Sequence, residues 1–210
     1  MNNDSIKKKI PSLENIFDDF LHPNPNINTQ ACLDMIRYWP EVSMPRLISN
    51  LKEPDIVLRR KSIKALGYFG DIALEPVVNY FFDNSELIVR VGCLKALIKI
   101  VTLEKYPLMP IGLREVVNLC LKNEEPQIIL AIVCLLKQLG KTGLPILIEA
   151  SKNNNILLSK ASVTAICEIN DPAARECLRG LLEDESTDKL VRESIVYNCS
   201  NHGAYEHLFD

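Results

Sequence analysis

Pro54-Asp-Ile-Val-Leu-Arg-Arg-Lys-Ser-Ile-Lys-Ala-Leu-Gly67 and Ser85-Glu-Leu-Ile-Val-Arg-Val-Gly-Cys-Leu-Lys-Ala-Leu97 are two copies of one pattern. Aligning Leu66 with Leu97 superposes Arg59 on Arg90, Ser62 on Cys93, Lys64 on Lys95 and Ala65 on Ala96. Each copy follows a second apolar stretch of helical period. Weaker copies end at Ile36, Leu136, Ile166 and Tyr197, so the six anchors lie 30, 31, 39, 30 and 31 residues apart. A two-helix unit recurring at that period cannot bury its apolar face alone. It stacks on its neighbours, and the chain is predicted to be an all-α solenoid of about six helical pairs.

The units follow from local signals. Residues 1–11 read as an N-terminal tail, 12–200 as the solenoid and 201–210 as a C-terminal tail. Ser12 is an N-cap before Leu13, Ile16, Phe17, Phe20 and Leu21, and His22-Pro-Asn-Pro25 ends that helix. The expected pairs are then 13–21 with 27–39, 44–51 with 55–69, 72–82 with 86–101, 112–121 with 126–139, 144–150 with 156–168, and 172–182 with 189–198. Gly70 suits a helix C-terminus and Asn153-Asn-Asn155 a turn. The 39-residue interval comes from an insertion, Thr102 to Pro110, whose two prolines predict an extended loop. The stretch 126–139 is apolar enough to predict burial on both faces. No segment alternates with period two for the length of a strand.

Composition narrows the function. The chain has 210 residues, a net charge of −3, 47% hydrophobic and 6% aromatic residues. An acidic balance lacks the basic stripe that releases phosphate counterions, so a nucleic-acid partner is not expected. Lys7-Lys8-Lys9 reads as a solvated helix start. The longest uncharged apolar run, 128–136, is too short to span a bilayer. Seven cysteines form no CxxC pair, and Cys32, Cys93, Cys134, Cys167 and Cys199 fall in or at the ends of second helices, where a small apolar residue packs well. Reduced thiols point to a cytoplasmic or plastid-stroma setting.

No catalytic constellation is legible. His22 lies in a proline-rich turn, and His202 and His207 are five apart, which does not place both on one helix face. Neither a bound metal nor a tightly held cofactor is expected. Gly140-Lys-Thr-Gly143 lacks the strand and the leading glycine of a phosphate loop and reads as an inter-helix turn.

A surface remains. Arg59, Arg60, Lys64, Arg90 and Lys95 recur on second helices of adjacent units, which line the inner face of such a stack. Arg59 and Arg90 are also candidates for a structural ladder, pairing with an acidic residue of the neighbouring unit such as Asp55, Asp71 or Asp83. Arg60 has Val91 as its counterpart and falls outside that ladder. Tyr38 and Trp39 close a unit and offer either packing or a contact for a planar ligand. The loop around Tyr106 is a further place for such a contact.

Leu21-His-Pro-Asn-Pro25, Pro45-Arg-Leu-Ile48, Arg59-Arg60 with Ile63-Lys-Ala-Leu-Gly67, Val89-Arg90 with Cys93-Leu-Lys-Ala-Leu97, and the Tyr106-to-Pro110 insertion occur in an order that resembles the phycobilisome-lyase HEAT-like repeat family. The resemblance covers residues 12–185 and the length is that of the family's short branch. It implies an accessory component of a bilin lyase, more than a stand-alone enzyme, that assists attachment of phycoerythrobilin to phycoerythrin subunits. The implied partners are a phycobiliprotein subunit and a separate lyase subunit, with a linear tetrapyrrole held transiently if at all. The two propionates of a bilin suit arginine, which binds each as a charge-assisted pair. The bonded thiol belongs to the client, so this chain needs no nucleophile of its own. Leu58 stands where members of the family often carry Tyr, and in unit one Thr29 stands at the position that aligns with Arg59, which turns the reading toward a chaperone-like role. The same resemblance admits a non-catalytic scaffold in iron–sulfur assembly or phycobilisome turnover.

Overall fold

The computed structural model describes residues 10–104, 106–123 and 125–202, with side chains through Ser200. Six helical pairs follow one another: α1 (Leu13–Leu21) with α2 (Pro25–Tyr38), α3 (Pro40–Ser49) with α4 (Ile56–Phe69), α5 (Asp71–Asp83) with α6 (Leu87–Leu103), α7 (Ile111–Cys120) with α8 (Pro126–Gln138), α9 (Leu144–Ala150) with α10 (Ile156–Cys167), and α11 (Pro172–Glu183) with α12 (Lys189–His202). No strand occurs among the described residues. The stack is the α-solenoid that the repeat predicts. The Lys7-Lys8-Lys9 run and His207 lie outside the described residues.

Short polar side chains start the helices. Ser12 accepts from the Asn15 N–H, Asn24 from Asn26, Asp55 from Val57 at 2.7 Å, Asn155 from Leu157 and Leu158, and Asp171 from Ala173. Each satisfies an N–H that the helix itself leaves without an acceptor. Prolines also start helices here. Pro25, Pro40, Pro126 and Pro172 occupy the first turn, where the missing N–H costs nothing. Pro40 therefore opens α3 four residues before the expected start, and Trp39 is at once the end of α2 and the entry to α3. Gly70 and Gly140 turn the chain with φ of 59° and 55°, where a side chain would be strained.

The core is one continuous cluster of Leu, Ile, Val, Ala, Cys and Phe running the length of the stack. The second helices, α2, α4, α6, α8, α10 and α12, pack on one another more closely than the first helices do. Gly67 permits part of this. A Cβ there would sit 2.7 Å from Lys99 Cβ on α6. The more closely packed layer is the shorter one, so the second helices form the inner face. Buried Cys32, Cys93, Cys120, Cys167 and Cys199 fill this core as small apolar groups. Burial pushes the thiol of Cys32 up to about 11, and those of Cys93 and Cys120 to about 12.

Two expectations change. Helix α6 continues through Thr102 and Leu103, so the insertion begins as helix, and the Thr102 hydroxyl donates back to the Ile98 carbonyl at 2.6 Å. Helix α8 is not buried on both faces: Leu130 is 52% exposed, because the inner face of this unit carries apolar rather than charged side chains.

Candidate functional site on the inner face

The aligned arginines do the same work in both units. Arg59 Nη1 donates to the carbonyls of Glu53 and Pro54, the latter at 2.8 Å. Arg90 Nε donates to the Asn84 carbonyl at 2.7 Å, and its guanidinium lies 5.3 Å from the Phe81 ring centroid. Each arginine thus reaches back over the turn that joins its own helical pair. The ladder of arginine to a neighbour's carboxylate is not what forms. Asp55 is committed to the start of α4, and Asp71 accepts from Tyr106. Shorter residues do the equivalent job elsewhere. Asn28 Nδ2 donates to the Phe20 carbonyl, and Ser159 Oγ donates to the Ser151 carbonyl. Units one, two, three and five thus each close their turn with a donor from the second helix.

Arg60 and Lys95 are different. Both are exposed, and neither has a hydrogen bond or ion pair among the described residues. Lys64 stands between these extremes. It is half-buried, donates to Thr29 Oγ1 at 3.3 Å and lies 5.6 Å from the Tyr68 ring centroid. The inner face of the first three units therefore presents Arg60 and Lys95 uncommitted, with Lys64 held lightly by a hydroxyl and a ring.

The aromatic candidates all make contacts within the fold. Trp39 Nε1 donates to the Pro11 carbonyl at 3.1 Å and packs against the core, tying the chain's entry to the start of α3. Tyr38 is half-buried under the Arg37 guanidinium, 5.3 Å from its ring centroid. The Tyr106 hydroxyl donates to Asp71 Oδ1 at 2.9 Å, and its carbonyl accepts from Thr142 Oγ1 at 3.0 Å. Burial first, and then the Asp71 carboxylate, push the Tyr106 phenol well above its usual range. The insertion is thereby pinned to α5 on one side and to the turn before α9 on the other.

Sequence reasoning missed two features. Lys61 spans about forty residues of sequence to donate to the carbonyls of Phe20, Leu21 and His22, the last two at 2.6 and 3.0 Å. Helix α1 has no basic residue in its last turn, and that vacancy was the available signal. The second is an inner-face cavity of about 320 Å3 between α8 and α10, with Leu130, Cys134, Leu157, Lys160 and Thr164 among its walls. Its far side is closed by the Lys137–Glu168 ion pair at 2.9 Å. Cys134 occupies the repeat position of Lys64 and Lys95, so the inner face passes from cationic in the first three units to apolar in the fourth. No group of three or more metal-ligating side chains occurs among the described residues.

Comparison with known proteins adds sequence relatives. The chain is 29% identical over 186 residues to the uncharacterized phycocyanin operon protein Z of Pseudanabaena tenuis (strain PCC 7409), covering 87% of this chain and 91% of that one. It is 25% identical over 176 residues to the bilin biosynthesis protein CpeZ of Synechococcus sp. (strain WH8020), covering 81% and 95%. Among solved structures, the complex of CpcE and CpcF of the phycocyanin lyase from Nostoc sp. PCC7120 matches 94% of this chain and 80% of that one, with a TM-score of 0.43 and 16% identity. No family model matches the chain.

Proposed function

We propose, from the premise that this chain is a homologue of CpeZ-type proteins, that it assists the attachment of a bilin to a phycobiliprotein as a companion of a separate lyase. The relatives' names and the full-length match support the bilin connection. The companion role, the choice of phycoerythrobilin and the phycoerythrin client are our reading. The observation that carries it is the division of labour on the inner face. Arg59 and Arg90 are consumed in closing the turns of their own helical pairs and Lys61 in tying α4 to the end of α1, whereas Arg60 and Lys95 are exposed and unpaired on second helices of adjacent units.

An acidic chain that keeps free cations on its inner face offers that face to an anion. A bilin propionate or an acidic helix of the immature client fits this requirement. A charge-assisted bond to either is worth about 1.5–3 kcal/mol. The thiol that becomes bonded is the client's, so the step needs no nucleophile from this chain. Its role is to hold the client open or the bilin oriented while the lyase and the client thiol react.

The test is reconstitution with phycoerythrin subunits, a bilin source and candidate lyases, with and without this chain. Covalent attachment should rise when the chain is present and return to the lyase-only level with Arg60→Ala and Lys95→Ala combined. A triple variant that also carries Lys64→Ala and still gives the native yield, with native client binding, would refute the inner-face reading.

A further inference from the structure

Pro45 and Pro76 lie 31 residues apart, one repeat, inside α3 and α5. Both line an open groove of about 840 Å3 between these two first helices, on the layer opposite the inner face. A proline within a helix has no N–H for the carbonyl four residues earlier. Glu41 and Ile72 thus lose that donor, and both residues line the same groove. Met44, Ile48 and Ile72 supply apolar wall, and Ile72 is 56% exposed. The next pair of first helices closes up instead, because Gly112 of α7 lies against α5, where a Cβ would be 3.1 Å from Val78 Cγ1.

Charge and shape together select the occupant. The charged residues that line the groove are Glu41 and Asp83 against the single amine of Lys52. The groove is therefore mainly apolar with a net negative charge. Its walls are helices of 10 and 13 residues, about 15–20 Å long at 1.5 Å per residue. That length takes three turns of a helix. We infer that the α3–α5 groove docks a basic amphipathic helix of a partner protein, with apolar residues at i, i+3, i+4 and i+7 facing the groove and flanking Arg or Lys. This interface goes beyond the inner-face function and lies on the opposite layer, so the chain can hold two proteins at once.

The test uses the full chain and labelled 14-residue helical peptides, read by fluorescence anisotropy. One peptide carries Leu at the four positions with flanking Arg; a second keeps the Leu residues and replaces Arg by Glu; a third keeps the composition with the apolar face scrambled. The Arg peptide should bind, and the other two should bind at least about tenfold more weakly, a difference of 1.4 kcal/mol. Ile72→Glu, and independently Ile72→Ser, should weaken the Arg peptide by a similar factor with an unchanged melting temperature. Glu41→Lys with Asp83→Lys should reverse the preference between the Arg and Glu peptides. Equal binding of the Arg and Glu peptides overturns the proposal. So does binding of the Arg peptide that survives both Ile72 variants, which would move the peptide off the groove and leave the inner-face reading standing. Displacement of all peptides by a small apolar dye that Ile72→Glu expels would make the groove a small-molecule site and also overturn it.

Discussion

At the scale of single residues, neighbouring arginines with the same chemistry do opposite jobs. Arg90 is half-buried, bonds the Asn84 carbonyl and covers Phe81, so Arg90→Ala leaves a carbonyl without its charged donor and a ring without its cover. The expected loss is about 2 kcal/mol by denaturant unfolding. Arg60→Ala removes an exposed side chain without a partner, and the same measurement should move by less than about 0.5 kcal/mol while client attachment falls. The buried thiols make a second prediction. Burial favours the neutral thiol of Cys32, Cys93 and Cys120, raising each above its ordinary value of 9.0 to about 11–12. Their contribution to stability is complete below the unfolded value and is lost as the pH rises toward the folded one. Between pH 9 and 11 each such thiol should cost up to about 1.4 kcal/mol per pH unit. Denaturant unfolding at pH 7.5, 9 and 10 should show a falling stability, with a shallower fall in Cys93→Ala than in the native chain. Equal slopes for the two would remove Cys93 from the account.

At the scale of the helix, glycine sets which layers close. Gly67→Ala puts a Cβ 2.7 Å from Lys99 Cβ, an atom fixed to its backbone, and α4 must part from α6. The overpacking cost of about 1–3 kcal/mol exceeds the helical propensity that alanine adds. Gly180→Ala on α11 meets nothing within 4 Å and should instead stabilise by about 1 kcal/mol. Paired thermal melts of the two variants check the opposite signs. Such contrasts explain what the sequence could and could not tell. The pairing of helices was legible because the Leu66–Leu97 repeat, the capping residues Ser12, Asp55 and Asn155, and the glycine turns are all local signals. The start of α3 was misplaced because Pro40 reads equally as a helix end and a helix beginning. The fate of each cation was not legible, since it depends on which carbonyl comes within reach after stacking. Lys61 finds α1 about forty residues away, and nothing in its neighbours announces that. The α3–α5 groove is a spacing between elements, set partly by Gly112 in the following unit. The repeat puts Arg60, Lys64 and Lys95 on second helices of adjacent units. It also puts Arg59 and Arg90 there, which the turns have taken for themselves.

At the scale of the whole molecule, charge is sorted along the stack. The chain is net acidic, yet the inner face of the early units carries Arg60, Lys64 and Lys95, and the exposed turn before α12 carries Glu183, Asp184, Glu185 and Asp188. Exposed charges of this kind act through a field that salt screens over about 8 Å at physiological ionic strength. Client association should therefore slow steeply between 50 and 300 mM salt, mainly in its on-rate, and Lys95→Glu should flatten that dependence. The same sorting bears on whether the chain can act alone. Cys93 and Cys120 are held neutral by burial, Arg59 and Arg90 are bound to carbonyls, and the Tyr106 phenol is tied to Asp71. Bilin attachment requires a thiol to be deprotonated and a bilin carbon to accept it, and on the companion reading the client thiol and the lyase supply that chemistry. Mixed with a phycoerythrin subunit and free bilin only, the purified chain is expected to leave covalent bilin at the uncatalysed level. Adding the cognate lyase should then raise the yield above that of the lyase alone. Zinc-induced fluorescence of the denatured subunit measures covalent bilin directly, and efficient attachment by the chain without a lyase would make it an enzyme in its own right and overturn the companion role.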